Sequence, residues 1–379
     1  MKNISLYIHI PFCDQKCYYC DFPSFAGKGG LKGQYIEALN KEIDNKNLNN
    51  YIIDTIFIGG GTPSSLEARE LEIMLKKVNE LNFSDNLEFT VECNPGSITR
   101  EKLNVMKKYG VNRLSMGLQA VQNTLLRDIG RIHSYEVFKE NFNLARECGF
   151  NNINVDLMFA LPGQKLNEWK ESLELISSLK PEHISAYSLI IEEGTPFNKM
   201  YEQGKLKLPN EDIERKMYHM AKDILEGNEM KQYEISNYSR EDLECRHNLA
   251  YWDMKEWIGV GSAASSYING KRITNVSEIE EYILRISKNG SAEAENHMNT
   301  QEENIEEFMF MGLRKINGVS EEEFKDRFNK SIDDVYKEVI SKYINEGLII
   351  RENNRIKLTA KGIEYSNIVM ADLLLEIWS

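Results

Sequence analysis

The sequence has no long uncharged apolar run and no basic segment followed by an apolar one. The first absence predicts that no helix spans a membrane, and the second that there is no secretory leader. Basic residues are outnumbered, because 46 Lys and Arg stand against 59 Asp and Glu and leave a formal net charge of −13. This balance argues against general binding to nucleic acid or to anionic membranes. Six cysteines in 379 residues do not make a disulfide scaffold, so we expect a cytoplasmic protein.

Residues 1–240 alternate between two patterns. Hydrophobic residues make up 41% of the chain, which is enough for a substantial core. Apolar runs typical of strands are separated by segments in which apolar residues recur every three or four positions. The runs lie at 6–10, 54–58, 87–92, 112–118, 152–159, 183–190 and 232–236. The alternation predicts βαβ units and a parallel sheet, so the fold class is α/β with a partial, open TIM-type βα barrel of about six units.

The pattern changes beyond residue 240. Residues 241–290 contain an aromatic-rich stretch, a glycine-rich stretch and a hairpin predicted to turn at Asn269-Gly270, and we interpret them as an extension of the barrel. The polar residues 288–301 are typical of a linker. Residues 300–379 predict three helices and a two-stranded wing, which indicate a small winged-helix-like α+β domain. Because this domain has 11 basic and 16 acidic residues, we expect a lid or docking domain and no binding to DNA.

Cys13, Cys17 and Cys20 follow the first predicted strand with the spacing C-x3-C-x2-C. Three thiolates on one short loop can bind three irons of a [4Fe–4S] cluster and leave the fourth iron without a protein ligand. An open coordination position is typical of a reactive metal centre and not of a structural one. The loop therefore predicts an iron–sulfur cluster with a vacant position.

A zinc site is the alternative interpretation of these cysteines. It would require a fourth ligand, which Asp21, His9 or the distant Cys245 and His247 could supply. Structural zinc ligands usually come as C-x2-C pairs, often with a second pair later, and the sequence contains no second pair. The spacing and the preceding strand therefore favour the cluster.

Polar residues at the ends of the following predicted strands indicate a ligand site at one edge of the sheet. Gly59-Gly60-Gly61-Thr62-Pro63 ends the second strand, where glycines let a ligand approach the backbone, although a helix start explains part of this stretch. Glu92 and Gln119 end the next two strands, and a carboxylate at Glu92 can bind hydroxyls or a positive charge. Arg131 could bind a carboxylate through two nitrogens. Asp156 lies in an apolar strand, where an unpartnered carboxylate would be costly, so we expect it to have a partner or ligand.

His247 lies in Cys245-Arg246-His247-Asn248-Leu249-Ala250-Tyr251-Trp252, a stretch rich in aromatic residues. A histidine in such surroundings could ligate heme iron. The ordinary alternative is a partly buried histidine whose hydrogen bonds are satisfied by the protein.

Together these stretches resemble the oxygen-independent coproporphyrinogen III oxidase family of radical S-adenosylmethionine (SAM) proteins, over essentially the whole chain. Within this family the chain is most similar to the heme chaperone (HemW) branch. The oxidases have a fourth cysteine two positions after the third, and here that position is Phe22. His247-Asn248-Leu249-Ala250-Tyr251-Trp252 matches the H-N-x-x-Y-W heme motif of the chaperone branch.

The resemblance implies that Cys13, Cys17 and Cys20 bind a [4Fe–4S] cluster and that His247 is a heme ligand. It also implies a SAM site, whose residues are Tyr7, Tyr19, Gly60, Gly61, Thr62, Glu92, Gln119, Arg131 and Asp156. The implied function is to bind heme and pass it to acceptors such as respiratory cytochromes. The first alternative is an oxidase that decarboxylates coproporphyrinogen III to protoporphyrinogen IX, and the second is a zinc-stabilised DNA-binding regulator, against which the acidic balance argues.

The resemblance also implies which partners to expect. They are heme, heme-accepting respiratory proteins and an electron donor such as flavodoxin or ferredoxin, with no nucleic acid among them. A homodimer and peripheral membrane contact through the acceptor are further expectations. Cleavage of SAM in the working cycle, and with it the status of an enzyme, stays open at this point.

Overall fold

A computed structural model describes residues 1–375 of the protein. Strands and helices alternate along the chain up to residue 239. The strands are β1 (Lys2–Ile10), β2 (Phe12–Cys13), β3 (Phe25–Ala26), β4 (Tyr51–Gly60), β5 (Phe83–Cys93), β6 (Arg113–Gln119), β7 (Ile153–Phe159), β8 (His183–Ser188), β9 (Lys231–Glu234) and β10 (Asn237–Ser239). The helices are α1 (Lys32–Asn45), α2 (Ala68–Val78), α3 (Arg100–Lys108), α4 (Asn123–Asp128), α5 (Tyr135–Glu147), α6 (Leu166–Ser178), α7 (Pro196–Glu202) and α8 (Glu211–Glu226).

Within residues 1–375, the chain forms a parallel sheet in the order β1-β4-β5-β6-β7-β8. This arrangement confirms the α/β class and the partial barrel of about six βα units. The run at 232–236 was expected to extend the parallel sheet, and this expectation is wrong. Its strand β9 pairs antiparallel with β10, which pairs antiparallel with β8. Only two residues separate β9 from β10, and a connection this short can form a hairpin but not the crossover that a parallel pair requires.

The chain then extends the other edge of the sheet. The elements are α9 (Arg246–Trp252), β11 (Trp257–Val260), β12 (Ser265–Ile268), β13 (Lys271–Asn275), α10 (Ile279–Asn289) and β14 (Glu293–Met298). β11 pairs parallel with β1, whereas β12, β13 and β14 follow antiparallel. The predicted hairpin is confirmed, because Asn269 and Gly270 join β12 to β13 with φ angles of 51° and 74°, as a two-residue turn of this kind requires.

The prediction of a linker at 288–301 is wrong over most of that range. Strand β14 occupies its centre and forms an edge of the large sheet. All six residues of this strand are exposed, so their polar composition resembles that of a linker. Exposed charged side chains are common on edge strands, where they discourage pairing with another chain.

The last elements form the C-terminal α+β part. They are α11 (Gln301–Gly312), β15 (Val319–Ser320), α12 (Glu321–Phe328), α13 (Ile332–Asn345), β16 (Ile349–Glu352), β17 (Arg355–Leu358), α14 (Ala360–Glu364) and α15 (Ser366–Ala371). β16 and β17 pair antiparallel as the predicted wing. The hydrophobic core of this part also includes Met254, Trp257 and Tyr267 of the barrel extension. Among the helices of residues 1–375 none is long and apolar enough to cross a bilayer.

Side chains of the parallel strands alternate between two environments. One set is apolar and belongs to the main core with the surrounding helices: Leu6, Ile8, Ile56, Ile58, Val91, Leu114, Met116, Val155, Leu157 and Ile184. The other set is polar although it is buried: Ser5, His9, Thr55, Glu88, Arg113, Ser115, Asn154, His183 and Ser185. The hydrophobic core therefore lies between the sheet and the helices, whereas the interior of the barrel is polar. Because parallel strands are usually apolar on both faces, this polar lumen indicates a binding site.

Candidate functional site

Among the described residues, an outer and an inner cavity adjoin at the carboxyl ends of the parallel strands. The outer cavity has a volume of about 410 Å³, within the range of small-molecule sites, and the inner one has about 220 Å³. Both are lined by Phe22, Glu92, Ser115, Asp156 and Tyr187, so they share a wall or opening. Of the predicted site residues, Tyr7 and His247 line the inner cavity alone, and Gly60, Glu92 and Asp156 line both cavities. The others line the outer cavity: Cys13, Cys17, Tyr19, Cys20, Gly61, Thr62, Gln119 and Arg131.

The loop after β1 brings the three predicted cluster cysteines to the outer cavity. Thr62 Oγ1 lies 3.5 Å from Cys13 Sγ, and Arg131 Nη1 donates to Cys17 Sγ at 3.5 Å. The backbone N–H of Cys20 donates to the carbonyl oxygen of Cys17 at 3.3 Å. Neighbouring elements therefore hold the loop from two sides.

The three thiols supply the number of protein ligands that a [4Fe–4S] cluster with one open iron position takes. In the part of the chain that the structure describes, no three His, Cys, Asp or Glu side chains are placed to hold one metal ion. A [4Fe–4S] cube takes one thiolate for each iron and does not need three ligands to converge on one point. The donor set therefore fits such a cluster.

Gly60 and Gly61 let the end of β4 approach the cysteine loop. The N–H of Gly61 donates to the carbonyl oxygen of Ile10 at 2.8 Å. Gly60 has a φ of +107°, and a Cβ there would lie 2.3 Å from Cε1 of His9. A Cβ on Gly61 would lie 2.8 Å from the carbonyl oxygens of Ile10 and Phe12. Only glycine fits at either position, so these residues shape the cavity wall whatever ligand they contact.

Glu92 and Asp156 are carboxylates of the outer cavity. Glu92 Oε2 accepts a hydrogen bond from the N–H of Gly60 at 3.1 Å. Asp156 accepts from Asn154 Nδ2 at 2.7 Å and from Ser115 Oγ at 3.3 Å, which are the partners that its burial requires. Burial, and then the charge of Asp156, raises the pKa of Glu92 to about 8, and burial raises the pKa of Asp156. Two carboxyl groups whose ionised forms are disfavoured in this way suit a cationic ligand.

Arg131 and Gln119 differ in how they meet the cavity. Arg131 Nη2 donates to Asn94 Oδ1 at 3.1 Å and to the carbonyl oxygen of Gly117, and Nη1 donates to Cys17. Within residues 1–375 its Nε alone lacks a partner, so the guanidinium holds the cysteine loop and offers no free pair of nitrogens to a carboxylate. Gln119 has a φ of 75°, and non-glycine residues in this conformation concentrate at functional sites.

His247 is buried, and both of its ring nitrogens are hydrogen-bonded. Nδ1 lies 2.8 Å from Thr55 Oγ1, and Nε2 lies 2.9 Å from the hydroxyl of Tyr251. Because Thr55 donates its own proton to Ser5, we assign the proton of the imidazole to Nδ1 and a hydrogen bond from Tyr251 to Nε2. Burial lowers the pKa of His247 to about 3, so the ring is neutral at physiological pH. An iron at Nε2 would have to replace the hydrogen bond from Tyr251.

Glu88 and Arg113 are site residues that the sequence analysis missed. The carboxylate of Glu88 accepts the backbone N–H of Arg246 at 2.9 Å and of His247 at 3.0 Å, and so holds the start of α9. Arg113 is 2% exposed and lines the inner cavity. The available signal was a charged residue on each of two adjacent predicted strands, a placement that is costly unless the charges have partners or ligands.

Comparisons with known proteins agree with this fold. Residues 7–176 match the family model of the radical SAM superfamily, and residues 299–365 match that of the HemN C-terminal domain. The barrel and its three-cysteine loop thus define a radical SAM protein. The protein called heme chaperone HemW of Bacillus subtilis (strain 168) is 40% identical over 377 residues, which cover 98% of this chain and 100% of the relative. The chain therefore belongs to the HemW family.

A second relative and a solved structure extend the comparison. The heme chaperone HemW of Lactococcus lactis subsp. lactis (strain IL1403) is 39% identical over 380 residues, which cover 99% of this chain and 98% of the relative. The solved structure of the radical SAM enzyme coproporphyrinogen III oxidase (HemN) from Escherichia coli has a TM-score of 0.86 at 22% identity. The match covers 99% of this chain and 91% of that one. At this identity the likeness supports the fold alone.

Cys17→Ala is expected to abolish the binding of iron and sulfide, because it removes one of the three thiolates of the loop. Iron and sulfide content after anaerobic reconstitution measures the effect. Cys148→Ala is the matched control, since Cys148 is half-buried at the end of α5 and lies outside the cavity. Full iron and sulfide content in Cys17→Ala would refute the ligand assignment.

Proposed function

We propose that this protein is a heme chaperone that holds a [4Fe–4S] cluster and SAM, binds heme and delivers it to acceptors such as respiratory cytochromes. The observation that carries the proposal is the full-length similarity to proteins named heme chaperone HemW. The stretch His247-Asn248-Leu249-Ala250-Tyr251-Trp252 supports it, because its histidine lines the inner cavity beside the predicted SAM residues.

The outer cavity has residues suited to both cofactors. Cys13, Cys17 and Cys20 would hold the cluster, and the cluster would supply the electron for reductive cleavage of the SAM sulfonium. Glu92 and Asp156 would face the positive charge of that sulfonium, since opposite charges within a few ångströms favour each other's charged form. The remaining predicted SAM residues would line the cavity around it: Tyr7, Tyr19, Gly60, Gly61, Thr62, Gln119 and Arg131.

Decarboxylation of coproporphyrinogen III is the less supported function. Phe22 stands where the oxidases are expected to have a fourth cysteine, and its side chain lines both cavities. The likeness to the Escherichia coli oxidase is one of fold and does not distinguish the two functions. An electron donor such as flavodoxin or ferredoxin, a homodimer, contact with the membrane through the acceptor and a cytoplasmic location complete the proposal.

The pH dependence of SAM binding tests the role of Glu92. Because burial raises the pKa of Glu92 to about 8, its proton must leave before the carboxylate pairs with the sulfonium. Affinity should therefore fall as the pH drops below about 8, by up to ~10-fold per pH unit. Calorimetric titration of the reconstituted protein with SAM measures this slope.

Glu92→Gln provides the matched control for that slope. Its neutral amide cannot titrate, so the variant retains only the pH dependence that SAM and other groups contribute. If the affinity for SAM depends on pH equally in the wild type and in Glu92→Gln, Glu92 does not pair with the sulfonium.

Substitutions at His247 and Tyr251 test heme ligation. His247→Ala should weaken hemin binding by ~10-fold or more without loss of the cluster, because it removes the neutral imidazole. Tyr251→Phe should bind hemin at least as tightly as the wild type, since it frees Nε2 from a hydrogen bond worth ~1 kcal/mol. Absorbance titration with hemin measures both.

His297→Ala is the control for these two variants, because His297 is exposed on β14. Hemin affinity that does not change in His247→Ala would make the stretch a structural element of the inner cavity.

A further inference from the structure

Within residues 1–375, Arg113 is a buried guanidinium that donates no hydrogen bond to the protein. Its side chain is 2% exposed, and its Nε has no hydrogen-bond partner within residues 1–375. Other buried or half-buried arginines of the barrel do have partners, because Arg131 donates to Asn94 and Arg146 pairs with Glu182. A guanidinium has five N–H donors and stays charged in proteins. Burying it without hydrogen bonds is costly, so its donors are suited to acceptor oxygens from outside this part of the chain.

The neighbouring carboxylates are already occupied. Both oxygens of Glu88 accept backbone N–H groups of α9. Asp156 accepts hydrogen bonds from Asn154 and Ser115. These groups lower the cost of the buried positive charge through space, but they do not hydrogen-bond to it. The donors of Arg113 therefore remain available to the inner cavity that it lines.

The inner cavity is lined by Arg113 together with the carboxyl groups of Glu92 and Asp156, and burial raises the pKa of both carboxyls, which favours their neutral forms beside an anion. Its volume of about 220 Å³ admits a carboxylate on a short aliphatic arm. Asn248 and Tyr187 add polar side chains, and Phe57 and Phe22 add apolar wall against which methylene groups can pack. Arginine is well suited to such a group, because its planar fork matches the two oxygens of a carboxylate.

We propose that the inner cavity binds a carboxylate group, with Arg113 as its anchor. One source is a propionate arm of heme that enters from the outer cavity, and this source rests on the proposed function. The other source is a free short-chain carboxylate, which would bind without heme. Either source would supply the oxygens that Arg113 lacks. If Arg113 served only to balance Glu88 and Asp156, neither would bind there.

Hemin and hemin dimethyl ester, whose propionates carry no charge, test the proposal with the reconstituted full-length protein. If the anchor holds a heme propionate, the wild type should bind hemin ~10-fold or more tightly than the ester. Arg113→Gln should bind hemin and the ester with equal affinity. Arg113→Lys should prefer hemin more than Arg113→Gln does and less than the wild type does. Arg285→Gln, at a half-buried position on α10 outside both cavities, is the control and should behave as the wild type. If Arg113→Gln keeps the full preference for hemin, Arg113 is not the anchor.

Calorimetric titration with sodium propionate distinguishes the second source. Suppose that the wild type binds hemin and its ester with equal affinity. Saturable binding of propionate to the wild type would then support a free carboxylate as the ligand, provided that Arg113→Gln binds propionate at least ~10-fold more weakly. If the wild type shows neither preference nor saturable propionate binding, the proposal is overturned even when no variant folds. Failure of the wild type to bind hemin at all would contradict the proposed function, while the propionate titration would still decide on Arg113.

Discussion

The alternation of side chains along the parallel strands is the constraint on which the rest of this structure depends. One set, such as Leu6 and Ile8, packs against the helices and buries enough apolar surface to stabilise the barrel from outside. The other set faces inward and is free to be polar, as at Thr55 and Arg113. Because buried polar groups are costly unless they are hydrogen-bonded, the interior is organised as a network whose remaining donors and acceptors define the ligand site.

Local signals in the sequence made much of the fold and of the candidate site predictable. The cysteine loop, the glycine turn and the strand ends are read from short stretches, and the parallel order then brings them to one edge of the sheet. Contacts across the chain were not predictable in this way. Thr55, which lies 192 positions before His247, decides which ring nitrogen carries the proton. The antiparallel β9 and the edge strand β14 depend on connection length and on a neighbouring strand, neither of which appears in hydrophobic periodicity.

The His-Asn-x-x-Tyr-Trp stretch lies between the lumen and the C-terminal part. His247 stacks on Phe57 of β4 with the ring centroids 5.3 Å apart, and Tyr251 meets Trp257 edge to face at 4.8 Å. Trp252 packs under the guanidinium of Arg314, which follows α11, at 4.6 Å. A ligand that displaced Tyr251 from His247 would therefore disturb contacts that reach the C-terminal helices. Binding at His247 would in this way be coupled to the C-terminal part.

Anaerobic turnover with coproporphyrinogen III tests most directly whether this chain handles heme or makes its precursor. The reconstituted protein would be mixed with SAM, a reductant and coproporphyrinogen III beside a known oxidase as positive control. Mass spectrometry would follow the loss of two carboxyl groups, and the same preparation would be tested for hemin transfer to an apo-acceptor. If the protein is a heme chaperone, we expect transfer of hemin to the apo-acceptor and no decarboxylated product. Product over many turnovers, with no transfer of hemin, would contradict the assignment.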